Sequence, residues 1–226
     1  MGIERKFIKK ALDDLRVKTF LRKELERAGV SSIEIQKTPI ATRITLFVRK
    51  PGMVVGKKGA GIKDLCDQLE KNFAIENPQI EVVEVMQPSL DAQLVAEKVG
   101  KRLEVKPNVK PILRFALQDI MTAGAIGAQI RAAGKIVGKG GKARVITVRA
   151  GYLKKSGDML KIVREGHYVA HLKAGAVGIT VKIVPPGAVF PDRIDVKPPV
   201  EEKKAEEKPV EVVEETVEAQ EEKTEA

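Results

Sequence analysis

A Gly-Lys-Lys-Gly turn combines two properties that an anion-binding loop needs. Gly56 and Gly59 lack a Cβ atom, so the backbone can turn sharply and approach another backbone closely. Lys57 and Lys58 add positive charge at the same place, and Lys63 follows within one helical turn. The amphipathic pattern after the turn indicates a helix, whose first amides and positive dipole end favour an anion. We therefore predict that this turn contacts phosphate.

Basic side chains recur at three other places in the chain. One group lies outside the apolar stripe of an N-terminal helical pattern, and one lies four residues apart on a later predicted helix. The last group surrounds a second glycine-rich run at 136–143. A solvated helix face or turn is the alternative explanation for each group. The candidate residues are Arg5, Lys6 and Lys9, then Lys110 and Arg114, and finally Lys135, Lys139, Lys142 and Arg144.

The residues that carry metal, redox or hydrolytic chemistry do not form a set. Cys66 is the sole cysteine and falls on the apolar face of a predicted helix, which is typical of a small buried hydrophobe. His167 and His171 share one face of a predicted strand, but no cysteine or carboxylate joins them at ligand spacing. The P-loop pattern Gly-x-x-x-x-Gly-Lys-Ser/Thr occurs in neither glycine-rich stretch. In the second stretch, Gly141-Lys142 is followed by Ala143 where the pattern requires Ser or Thr. We expect no cofactor, no metal and no enzymatic activity.

The charge of the chain indicates a polyanionic partner. The formal net charge is +10, yet residues 197–226 contain 11 Glu and 5 Lys, which leaves +16 on the preceding residues. A body of that charge is expected to lie on phosphate, where Lys and Arg displace condensed counterions. Aromatic residues make up only 4% and Trp is absent, which argues against a module that reads bases chiefly by stacking.

No apolar run approaches the ~18 residues that a membrane span requires. The N-terminus carries charges but no apolar signal core. We expect a soluble, intracellular chain with no membrane partner.

The elements around the lysine turn follow a recognisable order. Residues 4–28 predict two helical pieces with a break near Val17–Thr19, and alternating strands follow at 30–38 and 42–49. After the turn come a helix to about Phe73 and a third strand. This order matches a prokaryotic-type (type II) KH domain, an α+β sandwich that clamps a few nucleotides of single-stranded nucleic acid.

The second half is predicted to be a separate α+β domain. It contains a helix pair over 89–123, with Ser89 as the N-cap, followed by strands within 125–137, 166–173 and 178–184. Periodicity leaves Lys142–Tyr152 open between a short helix and irregular structure. The run at 136–143 resembles the first loop, but the surrounding helix-helix-strand order favours a flexible basic turn over a second KH domain.

We expect three parts: a KH domain over 1–87, an α+β domain with a small sheet over 88–190, and a disordered acidic tail over 191–226. The tail alternates Glu with Lys, Ala, Val and Pro and has no aromatic residue beyond position 197, so it cannot bury enough surface to fold.

Several motifs together resemble the archaeal form of the KH-containing ribosomal protein three family of the small subunit. They are the Phe7-Ile8 helix, Pro51-Gly52-Met53-Val54-Val55 leading into the lysine turn, Gly124-Ala125-Ile126-Gly127-Ala128-Gln129-Ile130 leading to Gly134-Lys135, and Gly175-Ala176-Val177-Gly178-Ile179-Thr180-Val181-Lys182-Ile183. The resemblance covers about residues 4–190 and excludes the acidic tail.

The resemblance implies a ribosome-bound, cytoplasmic structural protein of the subunit head. Its implied partners are small-subunit ribosomal RNA, messenger RNA at the entry channel, and ribosomal proteins ten and fourteen, with four and five beside the channel. Bacterial relatives use three basic residues there to support messenger unwinding. Two of these positions fall on Lys110 and Arg114, whereas Pro111 occupies the third, which shifts that role towards residues such as Lys106 or removes it.

Two other functions stay open at this point. A free KH-domain regulator or ribosome assembly factor would act on RNA away from the ribosome. A DNA lyase with a lysine nucleophile would form a covalent adduct on abasic DNA.

Overall fold

A computed structural model describes residues 2–38, 40–73, 75–136 and 142–191. Residues 1–190 form one compact unit. The predictions made for Lys139, for residues 137–141 of the second glycine-rich run and for the tail from 192 onward lie outside the described residues. Within the described part of the chain, no helix is long and apolar enough to cross a membrane.

The N-terminal half builds a three-stranded sheet covered by helices. The strands lie in the order β1-β2-β3, with β1 antiparallel and β3 parallel to the central β2. This is the α+β arrangement expected of a type II KH domain. The elements are α1 (Ile3–Glu24), β1 (Val30–Lys37), β2 (Thr42–Val48), the short α2 (Pro51–Val55), α3 (Ala60–Phe73) and β3 (Pro78–Glu84).

The hydrophobic core of this half lies between the sheet and the helices α1 and α3. On β2 the alternation of Ile44, Leu46 and Val48 is fully buried, as the period-two pattern predicted. Leu21 of α1 and Leu69 of α3 close over these side chains, and both are fully buried.

The predicted break in the first helix is wrong, because α1 runs without interruption from Ile3 to Glu24. Its burial begins only at Val17 and Leu21, so only the second half of the helix packs on the core. The apolar side chains on the stripe of the first half are exposed: Ile8, Leu12 and Leu15. The shift in apolar spacing near Val17–Thr19, which led to the predicted break, therefore marks the point where the helix passes from an exposed half to a packed half.

The C-terminal half places two helices on one face of a four-stranded antiparallel sheet. The strand order is β5-β4-β7-β6, and buried side chains of both helices and of the sheet form a second hydrophobic cluster. The elements are α4 (Ala92–Val105), α5 (Val109–Thr122), β4 (Gly127–Gly134), β5 (Arg144–Gly151), β6 (Arg164–Leu172) and β7 (Gly175–Val184).

Two predictions for this half need correction. The segment left open between helix and irregular structure is the edge strand β5, paired along its whole length with β4. Its inner side chains Ile146 and Val148 are only partly buried, which weakens the alternation. The N-cap of α4 is Asp91, which accepts a hydrogen bond from the Gln93 amide, because Ser89 lies in a preceding 3-10 turn.

Helix α4 covers the free edge of β6 with its side chains. The Gln93 amide group donates to the His167 carbonyl at 3.0 Å and accepts from the His167 N–H at 3.1 Å. Glu104 accepts from the His171 N–H at 3.1 Å. These bonds satisfy backbone groups that an edge strand otherwise presents to solvent or to another chain.

Close approach of α4 and β6 depends on glycine. A Cβ atom on Gly100 would lie 2.1 Å from the ring of Tyr168, so this ring occupies the space beside the helix. Burial, followed by the charges of Glu104, Glu26 and Glu97, raises the pKa of Tyr168 to about 12. The phenol therefore stays neutral at physiological pH.

Several contacts among the described residues join the two halves. The Ser31 hydroxyl donates a hydrogen bond to Asp91, so the cap of α4 also holds the start of β1. Lys101 on α4 donates to the Glu26 carbonyl at 2.7 Å. Gly29 has φ of 72° and lies beside Leu94 of α4, because a Cβ atom built on it would be 3.5 Å from the Leu94 side chain.

Candidate nucleic-acid interface

The lysine turn lies between two helices rather than after a strand. Pro51–Val55 forms the one-turn helix α2, with Pro51 in its first turn, and the sequence showed this run only as apolar. Gly56 ends it with φ of 68°, and a 3-10 turn over Lys57–Gly59 leads directly into α3. The loop is therefore a tight helix–turn–helix junction.

Backbone geometry explains why this loop contains so much glycine. A Cβ atom on Gly61 would lie 2.5 Å from the Val54 carbonyl oxygen, and one on Gly56 would lie 3.0 Å from the Gly61 nitrogen. Helices α2 and α3 therefore approach each other closely at their junction. This close approach leaves no space for a side chain at position 61.

The two lysines project from this junction into solvent. Lys57 and Lys58 are both exposed, and Lys58 has φ of 52°, an uncommon value for a residue with a side chain. Lys63, one turn into α3, is exposed as well. The loop thus presents three cations beside the first amides of a fourteen-residue helix.

None of the described candidate cations is neutralised by a carboxylate. Within the part of the chain that the structure describes, the ion pairs use other basic residues: Arg16, Lys37, Lys98, Lys101, Lys161, His167 and Lys182. The candidate lysines and arginines are therefore free to meet phosphate.

Cys66 lies on the side of α3 that faces β3. Its Sγ atom is 3.5 Å from the Pro78 carbonyl oxygen, and the residue is half-buried. Burial, followed by the charges of Glu70 and Asp67, raises the pKa of the thiol. This is the environment of a packing residue, as the sequence predicted.

The other candidate cations lie on separate elements. Arg5, Lys6 and Lys9 are exposed on the first half of α1. Lys110 and Arg114 are exposed on α5, one turn apart, and the exposed Pro111 lies between them.

The described cations near the second glycine-rich run gather at one end of the four-stranded sheet. Lys135 follows the last residue of β4, and Arg144 begins β5 opposite Gly134. Lys142 precedes it and is exposed. The neighbouring turn between β6 and β7 adds Lys173 at the same end, since Gly134 also pairs with Val177. Sequence reasoning missed this last cation because its proximity depends on strand order.

A second basic surface was also missed. It lies on the face of the four-stranded sheet that points away from α4 and α5, and pairing across the sheet brings its members together. In the sequence, the period-two alternation along β4 and β5 is the signal that could have distinguished these outward-facing residues from the core-facing ones. They are Arg131 on β4, Arg149 on β5 and Lys182 on β7, with Lys155 in the segment after β5.

A cavity of about 570 Å³ lies elsewhere, beside α1 and the turn between β1 and β2. Its lining includes Asp13, Asp14 and Glu76. The basic residues of its lining, Arg16 and Lys37, pair with Asp13 and Asp14, so we do not include this cavity in the proposed interface. Among the described residues, no group of three or more His, Cys, Asp or Glu side chains is placed to hold a metal ion.

Comparison with known proteins decides the family. The KH domain family model matches residues 16–90, and the model for the C-terminal domain of ribosomal protein S3 matches residues 97–183. Small ribosomal subunit protein uS3 of Methanoculleus marisnigri is 40% identical over 212 residues, which cover 93% of this chain and 89% of the relative. The chain belongs to the uS3 family of small ribosomal subunit proteins.

The uS3 protein of Methanocaldococcus jannaschii supports the same assignment. It is 40% identical over 202 residues, which cover 89% of this chain and 96% of the relative. The resemblance inferred from the motifs is therefore confirmed, as is its archaeal character. The match over the second half is to a C-terminal domain of ribosomal protein S3, in agreement with the interpretation that no second KH domain is present.

Family membership does not assign individual residues. The roles of the lysine turn, α1, α5 and the sheet end remain predictions, as does the domain boundary between residues 87 and 88.

Proposed function

We propose that this chain is a non-catalytic structural constituent of the small ribosomal subunit. It binds small-subunit ribosomal RNA in the head of the subunit and lines the channel through which messenger RNA enters. It acts ribosome-bound in the cytoplasm. The uS3 relatives are small ribosomal subunit proteins, which supports assembly of this chain with the subunit.

The observation that carries RNA binding is the lysine turn. Its exposed, unpaired cations lie on a junction where two helices pack closely through glycine. Little ordering is then required when the loop meets phosphate, so the charge is pre-organised for binding. Cations of this kind position a protein on a nucleic-acid backbone and carry no sequence information.

Messenger contact is proposed for α5. Lys110 and Arg114 project from the solvent side of a helix whose opposite side is buried against the sheet, so the pair can follow a phosphate backbone. Pro111 leaves the basic cluster of bacterial relatives incomplete. We propose messenger contact here, with Lys106 as a further contributor.

The neighbouring proteins are proposed from the family resemblance. They are ribosomal proteins ten and fourteen in the head, with four and five beside the entry channel.

The lysine turn can be tested by removing its charge. We expect the double variant Lys57→Asp, Lys58→Asp to bind a transcript of the small-subunit head RNA more weakly than the parent chain. The magnitude of the slope of log K against log salt concentration should fall by about 1.4, since each contact to single-stranded nucleic acid contributes about 0.7. Filter binding between 50 and 300 mM KCl measures this slope. The Debye length falls by roughly half or more over this range, so the screening of charge changes enough to be detected.

The substitution suits the local backbone, because Asp tolerates the left-handed conformation found at position 58. The control is Lys57→Arg, Lys58→Arg, which keeps the charge and should keep the slope. An unchanged slope in the Asp variant would show that this loop does not contact the RNA backbone.

A further inference from the structure

The outer face of the four-stranded sheet has an unusual polar centre. Gln129 on β4 lies directly opposite Arg149 on β5 and Lys182 on β7. Arg131, two residues along β4, points to the same face. Directly paired Cβ atoms lie about 5 Å apart and diagonal neighbours about 7 Å, so three cationic side chains surround one amide.

The side-chain carbonyl oxygen of Gln129 is buried and has no hydrogen-bond partner among the described residues. Buried polar atoms almost always have a partner, so an unpaired acceptor calls for an explanation. Interchanging the oxygen and nitrogen of the amide would only place an unpaired donor at the same point. The site therefore has unused hydrogen-bonding capacity in either orientation.

A groove of about 460 Å³ surrounds this amide. Its lining adds Lys155 and Glu165 to Arg131 and Lys182 of the sheet, together with His167 and Thr180, whereas Arg149 is not part of the lining. Lys182 pairs with Glu165 at 3.2 Å, whereas Arg131, Arg149 and Lys155 have no ion-pair partner within the described ranges. The groove thus keeps an excess of positive charge.

One aromatic ring stands at the side of the groove. The His167 ring is 67% exposed, with Nδ1 at 3.3 Å from the Thr180 hydroxyl and Nε2 at 3.4 Å from Glu165. These two contacts orient the ring, and its backbone is fixed by Gln93 of α4. An oriented, exposed imidazole is a stacking surface for a nucleobase.

We propose that this groove binds an unpaired nucleotide of RNA. Its phosphate lies between Arg131 and Lys155, and its base stacks on His167. Rotation of the Gln129 side chain towards the groove exposes the buried oxygen, which then accepts from a base amine or 2′-hydroxyl. A simple anion does not fit, because it brings only acceptors to a central acceptor. A nucleotide carries both the negative charge and the donor.

RNA is favoured over a protein partner because the centre of the face is charged. Protein interfaces deplete charged residues at their core, whereas Arg131, Arg149 and Lys155 lie on this face with no ion-pair partner among the described residues. The inference rests on the proposed RNA binding and extends it to a surface separate from the lysine turn.

The test uses the full chain and a fluorescent transcript of the small-subunit head RNA. Gln129→Met keeps the side-chain length and removes the amide, and we expect about 3- to 10-fold weaker RNA binding. The melting temperature of the free protein should stay equal or rise, since no internal hydrogen bond is lost. A purely structural glutamine would give the opposite change in stability.

Charge is tested by Arg131→Gln, which should weaken binding and lower the salt slope by about 0.7. Gln36→Met is the matched control, since Gln36 is an exposed strand residue of the other sheet. It should leave both affinity and melting temperature unchanged.

The outcomes separate this inference from the proposed function. Failure of the parent chain to bind the transcript would overturn both. Parent binding that both groove variants leave unchanged, while Lys57→Asp, Lys58→Asp weakens it, would overturn the groove alone. If the groove variants instead lose only their association with intact small subunits, the face contacts a protein neighbour and the proposal is wrong.

Discussion

Single glycines decide where the charge of this chain is presented. The lysines of the turn are ordinary exposed side chains, and their common position follows from the contact between Gly61 and the Val54 carbonyl. Gly100 has a different task, since its missing side chain leaves space for the ring of Tyr168 beside α4. At Gly61 it is the approach of one backbone to another that sets the geometry of the lysine turn.

At this scale we predict that Gly61→Ala destabilises the protein. The added Cβ would lie 2.5 Å from a backbone oxygen, so α2 and α3 must move apart. We expect the free energy of unfolding to fall by about 1–3 kcal/mol, as for other overpacked sites. Urea unfolding followed by circular dichroism measures the change.

The matched control is Gly52→Ala in α2. Its Cβ would meet nothing within 4 Å and its backbone is helical, so the substitution should be neutral or slightly stabilising. Equal stability of both variants would show that the close approach at Gly61 is not required.

The elements that surround the site follow from the sequence to different degrees. Strand β2 was predictable because one face is fully buried and the alternation of Ile44, Leu46 and Val48 is clean. Strand β5 was not, since it lies at a sheet edge and its inner residues are only partly buried. The five-residue α2 is too short for helical periodicity to show.

The same limits apply to the candidate site. Runs of charge next to glycine are visible in the sequence, which is why the lysine turn could be predicted. Arg131, Arg149 and Lys182 are scattered along the chain and become neighbours only through the β5-β4-β7 pairing. Strand order depends on long-range packing, so a single sequence does not reveal it.

At the element scale we predict that Gln93→Ala loosens the edge of the second sheet. The variant removes both bonds between the Gln93 amide and the His167 backbone. Hydrogen exchange of the His167 amide should become roughly tenfold faster, which corresponds to the loss of one or two hydrogen bonds. Exchange measured by NMR reports this amide directly.

The His171 amide is an internal control in the same strand, because Glu104 holds it. Its exchange should change little. Uniformly faster exchange along β6 would indicate general destabilisation instead, and unchanged exchange at His167 would show that α4 does not protect the edge.

At the largest scale, residues 1–190 join two α+β halves with separate hydrophobic clusters into one compact unit. Asp91 and Lys101 on α4 bond to Ser31 and Glu26 of the first half, so the two sheets are fixed relative to each other. Basic surfaces on both halves can then contact RNA in a defined geometry. This agrees with a protein that forms part of a larger RNA–protein particle.

The charge distribution at this scale supports a stable association with RNA. Residues 1–196 carry +16 and the remaining residues −6, so the body retains a large excess of positive charge. Binding through many phosphate contacts weakens as the salt concentration rises. Under the proposed function, several surfaces that contact RNA at once would retain the protein on it. A free regulator that uses only its KH domain lacks this second set of contacts.

The most direct test of the account is sedimentation of the chain with ribosomes in its own cells. We predict that an epitope-tagged chain comigrates with small subunits on sucrose gradients and remains with them at high salt, where loosely bound regulators dissociate. The variant Lys57→Asp, Lys58→Asp should be enriched in the free fraction. Recovery of the parent chain only in free fractions at high salt would contradict its role as a structural constituent of the small subunit.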